Sequence, residues 1–164
     1  MIIEKQKEAG KMGHSLRRFE EKDARGVKEL ILTILTREYP FDHSAYSDSD
    51  LDRISETYSG PKDSFFVLED NSDIVGTVGI KEDSPEDALL RRLFVDPKHR
   101  KKGYGSSLLS RAIEFARSKG YKHMYFRCTD RMAAAMKLCE ASGFKEKDSL
   151  EVSGFKIHRL ELEL

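Results

Sequence analysis

Residues 95–109 read VDPKHRKKGYGSSLL, and this junction limits the possible folds more than any other stretch of the chain. The run before it, ALLRRLFVD, has the character of a strand that Pro97 ends. Beyond Gly103 and Gly105 a helical stripe begins with Tyr104, Leu108, Leu109, Ala112, Ile113 and Ala116, and Gly120 closes it. Residues 98–102 are all basic, counting His99. A helix start normally attracts acids, because its first N–H groups point outward with partial positive charge. Cations crowded here want an anionic ligand. Strand, glycine loop and helix start together aim several N–H groups at one point, which is a phosphate cradle.

The rest of the chain supplies a sheet around that junction. Residues 16–21 read as a first strand, and Asp23 as an N-cap to a helix carrying Val27, Leu30, Ile31, Ile34 and Leu35 up to Pro40. The acidic stretch 41–60 holds a second short helix near residues 51–58. SFFVLED and IVGTVGIKE, joined at Asn71-Ser72, form a hairpin, and HMYFRC is a later strand. A helix over residues 131–142 closes at Gly143, and FKIHRLELEL alternates as a final strand. The order β-α-α-β-β-β-α-β-α-β-β predicts a mixed sheet flanked by helices. Residues 1–14 read as a flexible tail, and residues 15–164 as one domain.

Composition narrows the function classes. Lys plus Arg (29) equals Asp plus Glu (29), so general nucleic-acid binding is disfavoured. No stretch of about 18 apolar residues suits a membrane span, and the N-terminus lacks the apolar core of a signal peptide. Cys128 and Cys139 have neither C-x-x-C spacing nor histidine partners, which points to free thiols, no metal and a cytoplasmic setting. Spacing also excludes two phosphate loops. A Walker A loop needs Gly-Lys-Ser/Thr, whereas Ser106-Ser107 follow Gly105; the dinucleotide fingerprint needs a third glycine where Leu108 stands. What remains is Arg-x-x-Gly-x-Gly, at Arg100, Gly103 and Gly105.

On these residues the chain resembles the GCN5-related N-acetyltransferases, the GNAT superfamily. The stretch from LRRLFVDPKHRKKGYGSSLL through HMYFRCT is similar to that family's acyl-CoA-binding motif A, and AAAMKLCEASGF to its motif B helix. The resemblance implies an α/β GNAT (acyl-CoA N-acyltransferase) fold, its mixed sheet mostly antiparallel. It also implies acetyl-CoA as acyl donor and transfer to a primary amine on a small molecule or peptide. By the same resemblance, main-chain N–H groups of Arg100, Lys101, Lys102, Gly103, Tyr104, Gly105 and Ser106 hold the pyrophosphate. Leu93, Phe94 and Val95 lie along the pantetheine arm as a strand would, and an N–H in the gap beside that strand polarises the acetyl carbonyl.

The chain departs from the family where catalysis is concerned. The tyrosine that protonates the leaving thiolate in most relatives maps to Cys139, an asparagine near the start of that helix to Met132, and a glutamate early in the fourth strand to Leu89. Cys139 is either the acid or a small apolar packing residue. No residue presents itself as the general base. The alternative is a non-catalytic acyl-CoA-binding or sensing domain. His99 reads as solvated, and His123 and His158 as structural. An unpaired last strand would offer an edge for a homodimer.

Overall fold

The computed structural model of the chain describes residues 14–40 and 49–164. Seven strands form one sheet in the order β1-β2-β3-β4-β5-β7-β6. They are β1 (His14–Arg18), β2 (Ser64–Asp70), β3 (Asp73–Ser84), β4 (Asp87–Val95), β5 (His123–Thr129), β6 (Lys145–Val152) and β7 (Phe155–Glu163). Every neighbouring pair is antiparallel except β4 and β5, which run parallel. The helices are α1 (Ala24–Glu38), the single turn α2 (Ile54–Thr57), α3 (Tyr104–Ser118) and α4 (Ala133–Ala141). The parallel pair needs a crossover, and α3 provides it. Most of the expected tail lies outside the described residues, although His14 already opens β1.

The apolar pattern explains the layering. In β2, Phe66 and Leu68 face the core under α3, while Phe65 and Val67 face the core under α1. A strand covered on both faces reads as a continuous apolar run, as SFFVL does. Leu108, Leu109 and Ala112 of α3 are fully buried, as are Ile31 and Ile34 of α1. Each such Leu or Ile side chain contributes roughly 1.5–3 kcal/mol. Gly76 in β3 lets α3 sit close, since a Cβ there would come within 2.8 Å of Leu108 Cδ1.

Four sequence expectations are corrected. The first strand ends at Arg18, because Glu20 and Asp23 close a tight turn: Asp23 accepts the Glu20 N–H at 2.8 Å and both arms of the Arg17 guanidinium. Asp23 therefore does not cap α1 through its side chain. The last helix is shorter than its pattern, starting at Ala133 after a 3₁₀ turn over Asp130–Met132. Finally, β7 is no edge. It pairs with β5 on one side and β6 on the other, leaving β6, exposed throughout, as the edge strand.

Candidate functional site

The end of β4 is tied down before the glycine loop begins. The Asp96 N–H donates to the Val75 carbonyl, and the Asp96 carboxylate accepts the Lys98 N–H at 2.9 Å, capping a 3₁₀ turn over Pro97–His99. Arg100 then turns back. Its Nε donates to the Val95 carbonyl at 3.0 Å, and its guanidinium pairs with Glu38 at the end of α1 at 3.1 Å. The backbone reverses through Lys101 (φ 67°) and Gly103 (φ 83°), and α3 starts at Tyr104. No side chain caps that start, so its outward N–H groups stay open. The Tyr104 hydroxyl donates to Asp70 at 2.9 Å, and burial plus that carboxylate push the phenol up. Lys101, Lys102 and Ser106 are exposed beside the loop. His99 is not fully solvated as expected: its side chain is 26% exposed, 3.9 Å from Asp70 and 4.0 Å from Asp96.

Below the loop the two parallel strands separate. β4 and β5 pair only from Asp87↔His123 to Leu90↔Phe126. Beyond that point Phe94 and Val95 keep their β3 partners, Leu93 sits beside them in a bulge, and the register gives none of the three a β5 partner. The gap is a cleft of about 490 Å³, lined by β4, by Phe126 and Arg127 of β5, and by Leu150 and Val152 of β6.

A bulge sits where the strands part. Val78 alone faces Arg92 and Leu93, and Arg92 takes a left-handed φ of 54°. Thr77 holds the bulge by donating its hydroxyl to the Arg92 carbonyl at 2.7 Å. The Arg92 side chain turns inward to Asp50, which also accepts from the Tyr58 hydroxyl at 2.9 Å. Burial opposes charge on Asp50, yet the Arg92 hydrogen bond and charge hold its carboxyl below the usual range. Burial drives the Tyr58 hydroxyl well above its ordinary value. Sequence reasoning missed this trio. The one local signal was the Arg91-Arg92 pair inside an otherwise apolar strand.

The remaining candidates separate. Leu89 and Met132 line the cleft. Cys139 does not; it is fully buried against the α3 core, and burial first, then Cys128 and Glu140, push its thiol up to about 12. Both cysteines are free thiols. Of the acids in the stretch before β2, Asp50 serves Arg92 and Asp52 pairs with Lys28; Asp42 and Asp48 lie outside the described residues. Among the described residues no His, Cys, Asp and Glu cluster suits a metal, and no helix is long and apolar enough to cross a membrane.

Residues 28–144 match the family model described as the Acetyltransferase (GNAT) family. The chain belongs to that family. Among curated proteins it is 34% identical over 104 residues to human N-acetyltransferase 8, covering 60% of this chain and 46% of that protein. It is 32% identical over 105 residues to the uncharacterized N-acetyltransferase YjgM of Escherichia coli, covering 62% of this chain and 63% of that one. The matched segment thus spans about half to under two-thirds of these relatives. The fold matches YncA of Salmonella typhimurium, solved with its cofactor acetyl-CoA, at a TM-score of 0.76 and 20% identity, over 92% of this chain and 94% of that one. The mostly antiparallel GNAT sheet expected from the sequence is therefore the one observed.

Proposed function

We propose that the protein moves an acetyl group from acetyl-CoA to a primary amine by direct attack. One observation carries this reading: the uncapped start of α3 and the open side of β4 are two ends of the same strand-and-loop track. The pyrophosphate fits the N–H groups of residues 100–106, with Lys101 and Lys102 beside it and Arg100 holding the loop in shape. Gly105 fits a close approach, since it leaves bare backbone where a Cβ would already lie 3.1 Å from Leu138. The pantetheine arm pairs with the unpaired side of Leu93, Phe94 and Val95. In this reading an N–H at the bulge polarises the acetyl carbonyl. Acetyl-CoA supplies the acyl group: the acceptor's ammonium first gives one proton to solvent, the neutral amine nitrogen then forms the new C–N bond as the C–S bond breaks, and a second proton from that nitrogen goes to the departing sulfur, leaving an amide and the CoA thiol.

The chain's contribution is positioning and carbonyl polarisation. Cys139 belongs to the packing of α4, because a buried thiol near 12 is a poor donor to a thiolate whose own value is near 8.5. Buried free thiols also suit a cytoplasmic setting, and the open edge of β6 is where a homodimer would form. The second reading, an acyl-CoA-binding domain without turnover, is favoured by apolar Leu89 standing in the cleft where relatives carry a base. The two are separated by following thiol release from acetyl-CoA across an amine panel. Amine-dependent release establishes the transferase; tight acetyl-CoA binding with no release in any amine establishes the binding domain.

A further inference from the structure

We propose that the acceptor is an α-amino acid with an apolar side chain, its carboxylate held by Arg91 and Arg127 and its side chain resting on Leu150 and Val152. The inference rests on the transferase reading above and names its substrate class.

The register of the parallel pair carries the first half. Leu89 faces Tyr125 and Leu90 faces Phe126, so the next two positions, where pairing stops, are Arg91 and Arg127. Side chains alternate along a strand, which puts Arg91 and Arg127 on the same face of the sheet, opposite each other across the opening. Both line the cleft. Like charges facing each other across two strands are unfavourable. Neither guanidinium has a hydrogen-bond or ion-pair partner among the described residues. Among the described residues the neighbouring acids are committed elsewhere. Asp50 binds Arg92 and Tyr58, with its charge only reaching Arg91; Asp148 binds Arg159; Glu161 binds Tyr125 and Lys147. Asp130 and Glu146 both hold His158. An anion from outside would relieve the two arginines, and a carboxylate suits a guanidinium fork.

That anion is not the cofactor's. Arg91 lies four residues before Val95, about 13 Å along an extended strand, so the glycine loop and its phosphates are out of reach. Arg91 is instead adjacent to the bulge at Arg92 and Leu93. The acceptor's nitrogen must reach that bulge while its anion stays one residue away, about 3.3 Å along the strand. A nitrogen two bonds from its carboxylate, as in an α-amino acid, meets that spacing; a long diamine does not.

The second half is independent. Leu150 (49% exposed) and Val152 (37% exposed) are the large hydrophobic side chains that the described residues leave open, and both line this cleft. An apolar substituent on the acceptor would cover them.

The test uses the full chain, acetyl-CoA and four amines: L-leucine, L-leucinamide, spermidine and a lysine peptide blocked at its N-terminus, compared at equal concentrations of free amine. Leucine is expected to exceed leucinamide by about 10- to 100-fold in kcat/KM, the range for one charge-assisted pairing. Arg91→Gln with Arg127→Gln is expected to bring that ratio to within threefold of one. Should the double variant fold poorly, Arg127→Gln alone, at an exposed position, must lower the ratio at least fivefold. Equal use of leucine and leucinamide, an unchanged ratio in the variants, or turnover confined to spermidine or the peptide overturns the proposal and leaves the transferase standing. Acetyl-CoA binding without turnover of any of the four removes the transferase reading and this one with it.

Discussion

The two ends of the cleft are built by different means. The β4–α3 end is main chain: an open helix start, two left-handed residues and a strand edge, all within residues 93–106. The opposite end is side chains drawn from β4, β5 and β6 and from the segment before β2. A backbone site asks for little beyond glycine in the right place and tolerates drift around it. A side-chain site is held by buried charges whose partners lie far away in sequence, and it fails when one partner is lost. The end proposed for the cofactor should therefore respond to substitutions that add bulk, and the end proposed for the acceptor to those that unpair a charge.

The largest effect expected is on the acceptor end. Asp50→Leu leaves the Arg92 guanidinium buried without its carboxylate. The expected cost is about 3–5 kcal/mol, a fall in Tm of about 10 °C in a chain of this size by thermal unfolding. A Tm within two degrees of the parent would break the contrast at its root. Next comes Gly105→Val, expected to weaken CoA binding at least about 100-fold by calorimetry through bulk placed against the pyrophosphate. The fold should survive it, because the first atom added meets the flexible end of Leu138 at 3.1 Å and otherwise makes only an ordinary contact with Val95 at 3.9 Å. Undiminished CoA affinity would remove the cradle.

This difference in construction also decided what could be read from the sequence. The β4–α3 junction was legible because all its determinants are local: Pro97 ends a strand, Gly103 supplies a left-handed φ, and the α3 stripe follows at period 3.6. The sheet was legible for the same reason, since SFFVL and IVGTVGI announce strands by composition. The Arg92–Asp50–Tyr58 trio was not. Its members are 42 and 8 residues apart, and nothing near Asp50 separates a buried carboxylate from a solvated one. The edge role of β6 was equally hidden, because KEKDSLEV has weak alternation and takes its register from β7. Propensity locates elements; pairing order depends on the rest of the sheet.

A smaller effect sharpens the contrast by pH. His158, nearly buried on β7, lies between Asp130 and Glu146, which link β7 to the turn before α4 and to β6. The Asp130 hydrogen bond leads in raising the histidine above its ordinary 6.5, against the opposing pull of burial. A raised folded value means that the stabilisation is complete below pH 6.5 and is lost as pH rises through that folded value. Tm is expected to drift down by a few degrees from pH 6 to pH 9, and His158→Gln to flatten the drift. CoA affinity over the same range should not follow His158, since no histidine of this cluster touches the glycine loop.

The smallest effect expected is on turnover, at the position where relatives carry their acid. Cys139 is fully buried and its thiol is pushed up to about 12. Donation from such a group to a thiolate near 8.5 runs roughly a thousandfold uphill, and a CoA thiolate leaves without help at neutral pH. Cys139→Ala should then lower kcat less than tenfold while costing about 1–2 kcal/mol of stability through the small cavity it opens beside Cys128. The two readouts move in opposite senses for the two roles. A packing residue shows a lower Tm and nearly normal kcat; an acid shows a normal Tm and a kcat reduced by about a thousandfold. The second pattern would mean that the core under α4 opens to the cleft during turnover, and the division between a main-chain cofactor end and a side-chain acceptor end would then need a third, mobile part.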